Sequence, residues 1–122
     1  MDIRICEEGG LKAAVIDSKE IEIKDVQSAL DFMALMYYEY GCNLAVIRKT
    51  NLPEEFFDLK TRLAGEILQK FTNYHFKVAI IGDFEGVTSK SLKDFIYESN
   101  KSRHILFVKD EKEALDMFKG AI

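Results

Sequence analysis

Residues 44–47 read Leu-Ala-Val-Ile, and the same kind of run returns at 78–81 (Val-Ala-Ile-Ile) and at 105–108 (Ile-Leu-Phe-Val). A strand that is apolar at successive positions has no face to show to water, so each run reads as a strand covered on both sides. Between and beyond these runs the apolar spacing changes to that of helices. Before the first run, Asp25 offers an N-cap, and Val26, Leu30, Met33, Ala34 and Tyr37 recur at i, i+4, i+7, i+8 and i+11. Gly41 can end that helix by accepting a left-handed backbone. This spacing assigns Tyr37 to the buried stripe and turns Tyr38 and Tyr40 elsewhere, where they can form an adhesive surface.

After the first run, Pro53 suits a helix start and predicts a short turn over 53–57. Asp58 then caps a longer second helix, whose Leu59, Leu63, Ile67, Leu68 and Phe71 keep the helical period. A third helix is expected over 88–99, with Leu92, Phe95 and Ile96 inward. Asp110 and Glu113 give a D-x-x-E start for a fourth that buries Ala114, Leu115 and Phe118. Upstream, Ile3-Arg4-Ile5-Cys6 alternates, Leu11–Ile16 does so in part, and Glu7-Glu8-Gly9-Gly10 supplies the turn of a β-hairpin. The order is ββαβαβαβα. Strands separated by helices demand right-handed crossovers. The expectation is one α/β domain over residues 1–122, a single-layer, mixed, mostly parallel five-stranded sheet with four helices.

Composition agrees with one domain. The chain has 122 residues, 48% apolar and 31% charged, with one proline, enough to bury a core and too apolar for disorder. No apolar run approaches the roughly 18 residues of a membrane span, and no charged and apolar leader comes after Met1, so a cytoplasmic protein is expected. Cys6 and Cys42 are then reduced, buried small hydrophobes rather than a disulfide framework. The formal charge is −4, and residues 1–40 alone hold 9 acidic against 4 basic side chains. An acidic surface opposes nucleic-acid binding, which rests on phosphate neutralisation. Lys90, Lys93, Lys101 and Arg103, set against Asp94 and Glu98, read as a solvated helix face.

Several chemistries have no residues to carry them. There is no G-x-G-x-x-G and no Walker lysine loop, and His75 and His104 lie far apart with no ligand spacing for zinc. Nothing calls for a cofactor or a metal. A parallel sheet gathers the loops that leave its strands along one carboxyl edge, where ligands and partners bind. That edge collects residues 48–58, 82–88 and 109–110. Asp58, Lys60 and Thr61 would open the second helix, Asp83 would end the fourth strand, and Ser89 would stand at the start of the third helix. Polar groups at helix starts can hold an anion or receive a phosphate, although Asp58, Thr88 and Ser89 also serve as plain caps. Gly65, unusual inside a helix, is expected to allow close packing within the domain.

The runs FFDLKTRLAGEILQKFTNY (56–74), VAIIGDF (78–84), TSKSLKDFIYESNKSR (88–103) and the helix DVQSALDFMA (25–34) resemble a bacterial family known as domain of unknown function 4180. The resemblance extends over essentially the whole chain and implies no reaction. The element order is also similar to that of STAS domains, the fold of anti-sigma-factor antagonists. Those domains commonly read F-I-D-S-S-G-L-G after the third strand, with a phosphorylatable Ser or Thr at the start of the second helix. Here Phe56-Phe57-Asp58 matches the first part, Leu59 and Lys60 replace the serines, and Thr61 is the nearby hydroxyl.

The resulting expectation is a noncatalytic, cytoplasmic regulatory module of STAS-like architecture. It would bind a protein partner through Asp58, Lys60, Thr61, Asp83 and Ser89, with Thr61 as the phosphorylation site. Two alternatives stay open. One is a small-molecule binder or enzyme on the same edge, with Asp58 or Asp83 as acid/base and Lys60 or Lys90 holding an anion. The other is a homodimer or larger homo-oligomer using Tyr38, Tyr40 or an edge strand.

Overall fold

A computed structural model describes residues 1–120, in which five strands lie side by side in chain order. The strands are β1 (Ile3–Glu8), β2 (Leu11–Ile16), β3 (Leu44–Arg48), β4 (Lys77–Ile81) and β5 (Ile105–Val108). The helices are α1 (Val26–Tyr40), α2 (Leu63–Asn73), α3 (Lys90–Ser102) and α4 (Glu111–Gly120). β1 and β2 are antiparallel, and every other pairing is parallel. The two-residue hairpin loop, Gly9-Gly10, has φ of 58° and 81°, as a turn matched to strand twist requires. The mixed, mostly parallel sheet and the ββαβαβαβα order read from the sequence are both present.

Alternation along the strands divides the core in two. Ala14, Ile16, Ala45, Ile47, Val78, Ile80 and Phe107 face α1, α2 and the half-buried Phe95 and Ile96 of α3. Ala13, Val15, Leu44, Val46, Ala79, Leu106 and Val108 face Ala114, Leu115 and Phe118 of α4. Three helices cover one face and one covers the other. Ion pairs hold α4 along β1: Arg4 bonds Glu111 at 2.7 Å and Asp17 at 3.1 Å, and Lys119 pairs with Glu8. Four strand residues from Arg4 to Glu8 and eight helix residues from Glu111 to Lys119 both advance about 12–13 Å, so the helix lies along the strand.

Local signals set the helix ends. Asp25 Oδ1 accepts from the Ser28 amide (2.8 Å) and Ser28 Oγ accepts from the Asp25 amide (3.0 Å), a reciprocal cap. Gly41, at φ 65°, ends α1 by donating to Tyr37 O (3.0 Å). Asp110 Oδ1 caps α4 by accepting from the Glu113 amide (2.8 Å).

Three expectations need correction. The second helix does not begin at Leu59 under an Asp58 cap. Asp58 caps a single 3-10 turn (Leu59–Thr61), Arg62 turns left-handed at φ 66°, and α2 starts at Leu63. Thr61 Oγ1 lies 2.7 Å from Glu55 O and 2.8 Å from Asp58 O and accepts from the Leu63 amide (3.2 Å), so a side chain takes over bonds that a continuous helix would make. Tyr37 is not in the buried stripe of α1: that stripe is Ala29, Phe32, Met33 and Met36, and Tyr37 is 61% exposed. Gly65 packs against nothing, because a Cβ there would meet no atom within 4 Å.

Gly65→Ala is accordingly expected to stabilise the protein by about 0.5–1 kcal/mol in urea unfolding, since it lowers the unfolded chain's entropy without a clash. The acids supply a second prediction. Asp17, Asp25 and Asp116 are each held below the ordinary aspartate value of 3.8, by the Arg4 hydrogen bond, the Ser28 amide and the Lys112 hydrogen bond respectively. A depressed acid stabilises the native state above its unfolded value and loses that contribution as pH falls through its folded value. The melting temperature is therefore expected to fall with acidification below about pH 4, and Asp25→Asn, which keeps an acceptor but does not ionise, to make the fall shallower.

Candidate functional site

The carboxyl edge is organised by one buried polar residue, Asn51, which is wholly inaccessible to water. It sits in a 3-10 turn (Lys49–Asn51) directly after β3. Its Oδ1 accepts from the Arg48 amide (2.6 Å), and its Nδ2 donates to Ser18 O (3.0 Å) and Glu20 O (2.7 Å). Its own carbonyl accepts from the Glu22 and Ile23 amides. Asn51 thus joins the β2–α1 loop to the β3–α2 loop, and no sequence pattern singles it out.

Of the five residues expected to form a binding surface, two line a common hollow. Asp83 and Ser89 border one shallow hollow of about 400 Å³ beside Lys49, whereas Asp58, Lys60 and Thr61 lie outside it. Asp83 Oδ1 accepts from the Glu85 amide (3.0 Å), and Ser89 caps α3 by accepting from the Leu92 amide (3.2 Å). Asp58 accepts from the Lys60 amide (3.2 Å). Lys90 pairs with Asp94 at 3.0 Å. Lys49 Nζ stands 5.4 Å from the ring centres of both Phe57 and Phe84, a cation held between two π faces. Gly82 is required there, because a Cβ would come within 2.9 Å of Lys49 Cβ.

The histidines lie on the opposite, amino edge: His75 precedes β4, His104 precedes β5, and both are exposed. Among the described residues no group of three or more His, Cys, Asp or Glu is placed to hold a metal ion. Burial pushes the Cys42 thiol upward from its ordinary value, away from the thiolate a nucleophile needs.

A different feature occupies the amino edge. The last turns of α1, Asn43 and the 74–76 turn enclose a hollow of about 590 Å³. Met33 (6% exposed) and Phe76 (3%) belong to the core behind it, with Leu30 and Ala34 beside them. Its walls are Tyr37, Tyr38 (81% exposed) and Tyr74 (64% exposed), and the rings of Tyr37 and Tyr38 meet edge to face at 5.4 Å. Asn43 and His75 supply polar atoms, and no Asp, Glu, Lys or Arg lines it. His75 reverses the chain at φ 55°, which brings Tyr74 and Phe76 to the same hollow. The volume and apolar lining fall in the range of ligand and anchor-residue pockets.

The sequence signal for this hollow lies in α1. Its residues, VQSALDFMALMYYEY, are apolar or aromatic on nearly every side, and a helix of that kind either is fully buried or has a second face with something to cover. Tyr38 is exposed, as its place off the helical stripe implies. Tyr40 is instead half-buried against the core, and Tyr74 and His75 escape sequence reasoning because they come from a distant turn.

A sequence model of the family described as Domain of unknown function (DUF4180) matches residues 8–118, from the end of β1 into α4. No curated protein and no solved structure matches the chain. No described helix is long and apolar enough to cross a membrane.

The Asn51 network yields a direct test. Asn51→Ala orphans the Arg48 amide and the Ser18 and Glu20 carbonyls, and is expected to lower stability by about 2–4 kcal/mol in denaturant titration. Asn51→Asp, whose carboxylate would face two carbonyls, should be most destabilising at neutral pH and recover on acidification, as a protonated carboxyl regains one donor.

Proposed function

The chain belongs to the DUF4180 family, and we propose that it is a noncatalytic protein-interaction module acting in the cytoplasm, whose principal contact surface is the tyrosine-walled hollow of the amino edge. The observation that carries this reading is the hollow itself: exposed Tyr37, Tyr38 and Tyr74 stand around an apolar floor. Tyrosines of this kind offer large contact area with little side-chain entropy to lose, and they are enriched where binding energy concentrates. With no formal charge among its lining residues, the hollow suits a protein segment that presents a neutral apolar or aromatic side chain. Binding is favoured over catalysis because Asp58, Asp83 and Ser89 serve their own turns and helix cap, and Lys90 is paired.

The carboxyl edge is a second contact surface in this proposal, with Asp58, Lys60, Thr61, Asp83 and Ser89 at its rim. Its regulatory element would be Thr61. A phosphate on Oγ1 adds roughly −1.5 to −2 charges beside Asp58 and removes the hydroxyl's bond to the 55–58 backbone, so modification would reshape the 58–62 turn. The likeness to STAS domains contributes the element order and the placing of that hydroxyl.

The test compares three forms of the protein: wild type, Ala34→Glu and the double variant Lys60→Glu/Thr61→Glu. Proteins captured from host lysate by wild type are purified and titrated against all three. The expected result is a partner whose affinity drops at least tenfold with Ala34→Glu, a substitution at an exposed helix position that leaves the melting temperature unchanged. A partner indifferent to Ala34→Glu but lost with the double variant would move the contact to the carboxyl edge. The absence of any stoichiometric partner would overturn the interaction reading.

A further inference from the structure

The two lateral edges of the sheet are finished differently. At the β5 edge, Asn100 of α3 closes the strand: its Oδ1 accepts from the Phe107 amide (2.6 Å) and its Nδ2 donates to Phe107 O (3.1 Å). Ser102 Oγ accepts from the Ile105 amide (3.4 Å). Residues 105 and 107 are the ones facing away from β4, because the β4 ladder bonds use His104 O and Val108 O. Three of the four outward groups of Ile105 and Phe107 are thereby occupied, which opposes strand addition there.

At the β1 edge nothing corresponds. The Asp17 amide donates to Asp2 O, and the alternation of an antiparallel ladder then turns Arg4, Cys6 and Glu8 toward β2. The amides and carbonyls of Ile3, Ile5 and Glu7 point outward, and among the described residues no side chain bonds to them. Ile5, 37% exposed, sits in the middle of this row. The even-numbered charges are drawn over the α4 face, where Arg4 meets Glu111 and Glu8 meets Lys119.

We propose that this edge pairs with a second copy of the chain, β1 antiparallel to the partner's β1 about a two-fold axis at Cys6, joining the two sheets into one. The register is set by charge. Outward groups at odd positions require odd residues to pair with odd ones, and each two-fold centre then has a definite consequence. Centred on Arg4, the guanidinium opposes its own copy. Centred on Ile5, Asp2 opposes the partner's Glu8. Centred on Glu7, two carboxylates oppose each other, and a centre at Ile3 leaves Cys6, Glu7 and Glu8 unpaired. Centred on Cys6, Arg4 lies opposite the partner's Glu8 and Glu8 opposite the partner's Arg4. Ile5 then faces the partner's Glu7 and lies diagonal to the partner's Ile5, which covers its exposed side chain. The two Cys6 residues form a non-hydrogen-bonded pair with Cα atoms about 4.5 Å apart, within disulfide reach.

Light scattering reads the mass, and diamide reads the register. In the probe reaction two thiols each lose a proton and an electron to form one disulfide, and diamide takes up both protons and both electrons to become the hydrazide. The expected mass is twice the 14.0 kDa of the chain. Diamide should link most of the protein through Cys6, and Cys6→Ser should abolish the link while keeping the mass. Ile5→Pro removes an outward amide that the β2 ladder does not use, so it should give a folded monomer. A monomer at every concentration, a dimer that survives in folded Ile5→Pro, or linkage through buried Cys42 would overturn the proposal. Should the proline variant fail to fold, the wild-type cross-link decides alone: linkage through Cys6 supports this register, and none rejects it.

Discussion

A sheet whose parallel strands run in chain order, joined by crossovers of one hand, must carry all of its crossover helices on the same face. That handedness is the constraint on which the rest of the molecule depends. It places α1, α2 and α3 side by side over Ala14, Ile47, Ile80 and Phe107, and leaves the opposite face to the segment after β5. A single helix, α4, therefore buries Val15, Val46, Ala79 and Leu106. Small residues such as Ala13 and Ala79 let it lie close, and its two ion pairs to β1 draw the far strand beneath it. Exposed pairs of this kind contribute at most about 1 kcal/mol each, so apolar burial holds the helix and the pairs fix its direction.

The same constraint separates polar order from apolar opportunity. On the carboxyl edge, loops leaving four parallel strands must satisfy their backbone groups at close quarters, and Asn51 satisfies three such groups with one side chain. Turn formation also engages Asp58, Thr61 and Asp83. On the amino edge the parallel strands begin, and the end of α1 stands beside Asn43 and the 74–76 turn. Tyr37 and Tyr38 stand there without cover because their helix is apolar on more sides than α2 and the sheet can bury. Polar residues near these strand ends are thus accounted for by the fold itself, whereas the uncovered aromatics are not.

Most of the architecture is legible in the sequence because its signals are redundant. The runs at 44–47, 78–81 and 105–108 are short, continuous and rich in Val and Ile, as covered strands are, Gly9-Gly10 fits a tight hairpin, and Asp25 and Gly41 bracket a helix. The site is less legible, for two physical reasons. In α1, the set Val26, Leu30, Met33, Ala34, Tyr37 and the set Ala29, Phe32, Met33, Met36 both satisfy a helical period. Spacing alone therefore offers no ground for turning Tyr37 outward. At 58–62, Leu59 and Leu63 keep a helical spacing through a 3-10 turn and a left-handed Arg62, because both side chains still reach the core. The break is written in Thr61's hydroxyl, whose competition for backbone bonds leaves no trace in an apolar pattern.

The treatment of the lateral edges is a further consequence of chain-order topology. Such a sheet cannot hide its first and last strands inside itself, so each must be finished by some other means. β5 has helices immediately before and after it that can reach back, and Asn100, seven residues before Phe107, closes it in the manner of a missing strand. Among the described residues no crossover helix lies before β1, and its odd-numbered backbone groups face outward. Charge usually protects such a strand, yet Arg4 and Glu8 are bent over the other face to hold α4. The anchoring of the one helix on the thinner face and the openness of the first strand are therefore linked: the side chains that secure the former are withdrawn from guarding the latter.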